Sequence, residues 1–92
     1  MRTPEQVFGA TVRELRREHG WTQEQLAERA YLHRTYIASI EAGKRNVAIA
    51  NVVYLARAFG VVPGELFRHF TKSLIDRLPP NSRNATRARR EK

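Results

Sequence analysis

Residues 22–43 read TQEQLAERAYLHRTYIASIEAG, and no other stretch restricts the fold of this chain as strongly. Thr22 is a good helix N-cap, and Gln25 three residues later completes a capping box. Trp21 before the cap and Leu26 at the fourth helical position are placed for a hydrophobic staple. Leu26, Ala27 and Ala30 form one inward stripe at helical spacing, and the small Ala27 lets a following helix cross closely. After a three- or four-residue turn a second short helix runs from about His33 to Ala42, ended by Gly43. Its Ile37 and Ile40 turn inward. That leaves Arg34, Thr35, Ala38 and Ser39 on the outer side, with Tyr36 at one flank.

The flanking segments are helical too. Phe8, Val12 and Leu15 make the stripe of a first helix over about Pro4 to His19, with Gly20 just past its end. Ile49, Val52, Val53, Ala56 and Phe59 give the stripe of a fourth, closed by Gly60 and capped by Asn46 or, poorly, by Ala48. A last long helix begins at Pro63 and carries Leu66, Phe67, Phe70, Leu74 and Leu78 until Pro79-Pro80 stops it. No segment reads as a strand. The expectation is an all-α, compact five-helix domain over residues 1–78. The stretch PPNSRNATRARREK, residues 79–92, has no periodicity and reads as a disordered basic tail, solvated rather than a specific DNA arm.

Composition narrows the function. Ninety-two residues offer one domain and a modest core, so the rich stripe of the last helix either packs on its own core or meets a second copy. The shortness of the chain favours the second, and Phe67, Phe70 and Leu74 are the residues placed at that contact. No run of apolar residues approaches membrane-spanning length and MRTPEQ is not a signal peptide, so a cytoplasmic protein is expected in a bacterial source. There is no cysteine. His19, His33 and His69 are scattered without metal-ligand spacing, and no glycine-rich phosphate loop occurs, so neither an enzyme nor a metal or cofactor site is expected. The net charge is +8 and points to a polyanion, although half of it lies in residues 79–92. Basic residues beside the last apolar stripe would suit a membrane surface, but Glu65 and Asp76 argue against it. RNA readers rely on exposed stacking aromatics, and few are spare here.

The outward set on the second of the two central helices is the sharper signal. A guanidinium, two hydroxyls and a phenol near a helix N-terminus serve packing badly and suit base edges in the major groove well. Arg34 matches guanine O6 and N7, Thr35 suits a thymine methyl, and Tyr36 reaches a base edge, sugar or phosphate. Gln23 and the helix N-terminal amides face backbone oxygens, and Lys44 and Arg45 add phosphate contacts.

The run TQEQLAERAYLHRTYIASIEAGKRN resembles the Xre-type helix-turn-helix family of phage repressors. Within it HRTYIASIEAGKRN is most similar to the controller proteins of restriction–modification systems. The resemblance implies a five-helix fold that dimerises through its C-terminal helices. It implies base reading by Arg34, Thr35 and Tyr36, with Ser39 one turn on, and phosphate contacts by Gln23, Arg45 and Asn46. It also implies a structural role for Glu41. The sequence departs from the family pattern in two ways. Tyr31 stands where glycine is frequent in the turn; positive φ there would cost about 1 kcal/mol, so a different turn conformation is expected. Val47 and Ala48 stand where proline and a hydroxyl cap are frequent.

The function that follows is a sequence-specific regulator of transcription, a homodimer on double-stranded DNA. Its two recognition helices would sit about 34 Å apart on an inverted repeat. It would act by occluding a promoter or by contacting RNA polymerase beside it. The alternative is an antitoxin-type module that also binds DNA and engages a partner protein through its tail.

Overall fold

The structure, a computed structural model, describes residues 2–81; nearly all of the stretch read as a basic tail lies outside them. Five α-helices and one 3-10 turn follow one another, with no strand among the described residues: α1 Pro4–Glu18, α2 Gln23–Ala30, α3 Arg34–Glu41, α4 Ile49–Phe59, the 3-10 turn Pro63–Phe67, and α5 Lys72–Asp76.

Capping boxes open the first two helices. The Gln25 N–H donates to Thr22 Oγ1 at 3.1 Å while the Thr22 N–H donates to Gln25 Oε1 at 2.8 Å. Thr3 and Gln6 make the same reciprocal pair ahead of α1, at 3.1 and 2.9 Å. His33 and Ala48 occupy the caps of α3 and α4 without a side-chain hydrogen bond.

The turn between α2 and α3 takes the family conformation in spite of its residue. Tyr31 has φ 57° and ψ 41°, the left-handed region. The expected departure does not occur. The Leu32 N–H donates to the Ala27 carbonyl at 2.9 Å, which closes the helix end only in this conformation. The Tyr31 side chain is 83% exposed, so its bulk meets no obstacle.

One core joins α1 to α4 and the 3-10 turn. Val7, Val12, Leu26, Ile37, Ile40, Leu55 and Leu66 are fully buried, and Phe8, Leu15 and Phe59 nearly so. Each large side chain among them contributes roughly 1.5–3 kcal/mol. Trp21 stacks on Phe59 with ring planes 9° apart and lies under the Arg29 guanidinium, a packing role at the start of α2.

Two expectations are corrected. The fourth stripe is Val52, Leu55, Ala56 and Phe59, whereas Ile49 is 83% and Val53 46% exposed. Residues 52, 55, 56 and 59 share one helical face; 53 is rotated off it, and 49 begins the helix beyond the core. The long last helix from Pro63 to Leu78 does not form. Arg68 leaves the 3-10 turn to pair with Glu14 at 2.8 Å and Glu18 at 3.0 Å on α1. Phe70 packs back against the core. Thr71 then caps a new helix, accepting from the Leu74 N–H at 3.1 Å. Tertiary contacts to α1 thus outweigh continuous helical hydrogen bonding across residues 68–71.

Candidate nucleic-acid interface

Ile37 and Ile40 anchor α3 from behind, and its N-terminal turn points away from the core. Arg34 and Thr35 are exposed there, and neither has a hydrogen-bond or ionic partner among the described residues. The side chains of Lys44 and Asn46, in the loop after α3, are likewise exposed and without a hydrogen-bond or ionic partner among the described residues. Such groups remain fully available to an incoming polyanion.

Tyr36, Ser39 and Arg45 are tied to one another instead. The Ser39 hydroxyl donates to the Tyr36 carbonyl at 2.7 Å. The Arg45 Nε–H donates to Ser39 Oγ at 3.1 Å, and the Arg45 guanidinium lies 5.6 Å from the Tyr36 ring centroid. From α4 the Asn51 amide donates to the Tyr36 hydroxyl at 3.1 Å. Tyr36, Arg45 and Asn51, together with Thr35 and His33, line a cleft beside the N-terminus of α3. Ser39, expected to face base edges, therefore has its hydroxyl engaged on its own helix and on Arg45.

Gln23, expected at phosphate, donates through Nε2 to Glu41 Oε1 at 3.2 Å. The Glu41 side chain is completely buried. Arg16 grips it with Nε at 2.6 Å from Oε2 and a terminal nitrogen at 2.9 Å from Oε1, and Arg13 adds a longer contact of 3.4 Å. The same Arg16 donates to the Trp21 carbonyl at 2.8 Å. One carboxylate thus joins the C-terminal half of α1, the start of α2 and the end of α3. Burial alone would raise the Glu41 pKa. The hydrogen bonds from Arg16 and Gln23, the Arg16 charge and the Arg13 contact outweigh burial and hold it below its ordinary value. The structural role implied for Glu41 is the one it has.

Sequence reading missed Arg13, Arg16, Gly9 and Asn51. Gly9 lies where α1 crosses α3, and a side chain there would run into the Ile40 carbonyl. A glycine inside an amphipathic helix is a visible signal of such a crossing. Asn51 gave none: its partner is fifteen residues away. A second unexpected cluster flanks the cleft, where Arg57 lies 5.1 Å from the Tyr54 ring and 5.8 Å from that of Tyr31.

The residues placed at a dimer contact lie at the other end of the chain. Phe67 is 45% exposed, Phe70 and Leu74 are half-buried, and Ile75 beside them is 49% exposed. The Phe67 ring touches both Phe8, at 5.4 Å, and Phe70, at 5.8 Å. Among the described residues no histidine, aspartate and glutamate cluster could hold a metal, and no helix is long and apolar enough to cross a membrane. His19 faces the Leu15 and Phe59 carbonyls at 2.8 and 3.1 Å, and His69 pairs with Glu14 at 2.9 Å.

Two short helices set by a left-handed turn, the second anchored by two isoleucines with its polar N-terminus free, define a helix-turn-helix protein. The helix-turn-helix family model matches residues 12–67. The chain belongs to that family of DNA-binding transcription regulators, of the Xre type. It is 44% identical over 61 residues to the control protein C.BamHI of Bacillus amyloliquefaciens, which covers 65% of this chain and 75% of the relative. The restriction–modification controller protein C.AhdI from Aeromonas hydrophila has a similar structure: TM-score 0.67 at 43% identity, covering 68% of this chain and 96% of that one. The controller protein C.Esp1396I, whose structure is a tetramer in complex with its natural 35 base-pair operator, matches with TM-score 0.64 at 31% identity, over 70% of this chain and 84% of that one.

Proposed function

We propose that two copies of this chain bind an inverted-repeat operator as a homodimer, with α3 of each in the major groove, and control transcription from the adjacent promoter. The observation that carries this reading is the pair Arg34 and Thr35, exposed and unpartnered on a helix end that Ile37 and Ile40 hold rigidly. A buried Glu41 sets the angle between that helix, α1 and α2. Residues 1–78 form the DNA-binding unit, with Phe67, Phe70 and Leu74 at the dimer contact. Gln23, Lys44, Arg45 and Asn46 meet phosphates, and Arg34, Thr35 and Tyr36 meet base edges. Ser39 serves the same face by fastening Tyr36 and Arg45. The similarity to operator-binding controller proteins supports a controller or repressor role, exerted by promoter occlusion or by contact with RNA polymerase. Action on operator DNA puts the protein in the cytoplasm.

The test is selection of bound sequences from a random DNA pool at fixed salt, with the mass of the complex measured alongside. A palindromic consensus bound by an even number of chains is the expected result. Salt-sensitive binding with no consensus would replace this reading with an architectural one. In the same assay Arg34→Ala relaxes base preference at one position of each half-site, a loss of roughly 1–3 kcal/mol of discrimination. Lys44→Ala instead weakens all sequences about equally and reduces the salt slope by about one. An unchanged consensus in Arg34→Ala would remove that residue from the reading face.

A further inference from the structure

The base-reading face is completed from outside the recognition helix. A phenol has one proton and two acceptor lone pairs. The Tyr36 hydroxyl oxygen already accepts from the Asn51 amide of α4, at 3.1 Å. No acceptor for its proton exists among the described residues. The ring has one further contact: the Arg45 guanidinium lies over it at 5.6 Å, and Arg45 is itself fixed to Ser39, whose hydroxyl donates to the Tyr36 carbonyl. A phenol held in this way keeps its proton directed away from the Asn51 amide.

We propose that Asn51 is a specificity-positioning residue: by donating to the Tyr36 hydroxyl it occupies one acceptor lone pair and leaves the phenol proton to donate toward a base-edge acceptor of the operator. Major-groove acceptors are purine N7, guanine O6 and thymine O4, while cytosine and adenine also present amino donors there. The Tyr36 position therefore favours an acceptor over an amino group, because the proton that Asn51 leaves free finds a partner only in the acceptor. This inference rests on the proposed placement of α3 in the major groove. It adds a residue of α4 to the determinants of sequence choice.

The experiment compares selected sequences for the unsubstituted protein, Tyr36→Phe, Asn51→Asp and the double variant, at one salt concentration. Asp at position 51 can only accept, so the phenol proton turns toward it and the donor is lost to DNA. The added negative charge weakens binding to every sequence, so the readout is the ratio between bases and not the affinity. Expected is a loss of about five- to tenfold in preference at one base pair per half-site, the same pair in Tyr36→Phe and in Asn51→Asp. The double variant should lose no more than Tyr36→Phe, and the base pair read by Arg34 should keep its preference. Asn51→Ala, which leaves the phenol free to rotate, gives a smaller loss at the same pair, and thermal unfolding of each variant shows that it is folded in the assay. If Asn51→Asp and Asn51→Ala keep the full preference that Tyr36→Phe loses, Asn51 does not position the phenol. A uniform loss across all bases overturns the proposal equally. If Tyr36→Phe itself changes nothing, Tyr36 reads no base and this inference fails with it, while the Arg34→Ala result still decides where α3 lies.

Discussion

Glu41→Ala should destabilise the domain by about 3 kcal/mol or more, the size typical of removing one partner from a buried ion pair. For a domain of this length that is a fall in Tm of roughly 15 °C. The cause is the partner left behind. The Arg16 side chain is only 13% exposed, and after the substitution its charge keeps a single acceptor, the Trp21 carbonyl. Gln23 loses its acceptor at the same time, so the start of α2 loosens against α3. Glu41→Gln should recover part of the loss, because an amide still hydrogen-bonds but carries no charge.

The same group gives a pH signature. Its pKa is depressed in the folded protein from an ordinary value of 4.5. The carboxylate therefore contributes its full stabilisation above that value, and the contribution fades as pH falls through the lower folded value. Urea midpoints measured from neutral pH into this acid range should show the loss in the unsubstituted protein and a shallower fall in Glu41→Gln. A Glu41→Ala protein with unchanged Tm would mean that the buried cluster has no net value for stability.

Gly9→Ala is the second large effect, and its sign separates local from tertiary reasoning. In an exposed helix, alanine is better than glycine by about 1 kcal/mol. Here α1 crosses α3 so closely that the new methyl would collide with the Ile40 carbonyl oxygen and lie 3.2 Å from the Glu41 carbonyl carbon. Both obstacles are backbone, so the helices must separate, and overpacking of this kind costs about 3 kcal/mol. Expected results are a lower Tm and weaker operator binding together, since separating the helices re-aims Arg34 and Thr35. A rise in Tm would show that the crossing relaxes freely.

Much of this protein was legible in its sequence, and for local reasons. The capping box of Thr22 and Gln25, the inward Ile37 and Ile40 and the outward Arg34 and Thr35 each depend on residues within one or two turns. Where reading failed, a distant contact had won. The helix expected over 63–78 breaks where Phe70 packs back on the core and Arg68 meets carboxylates on α1, some fifty residues earlier, contacts that no helical pattern records. Tyr31 adopts the conformation expected of glycine because the strain, about 1 kcal/mol, is small beside the packing of α2 against α3 that the turn allows.

Sequence by itself therefore determined the first four helices and which residues on α3 face outward, since periodicity and capping are properties of neighbours along the chain. Tertiary structure alone decided the aim of that face: the closeness of α1 and α3 at Gly9, the carboxylate that holds three helices together, and the clasp of Asn51 and Arg45 on Tyr36. These depend on groups brought together from as far apart along the chain as Gly9 and Glu41, and such meetings exist only after the core has closed.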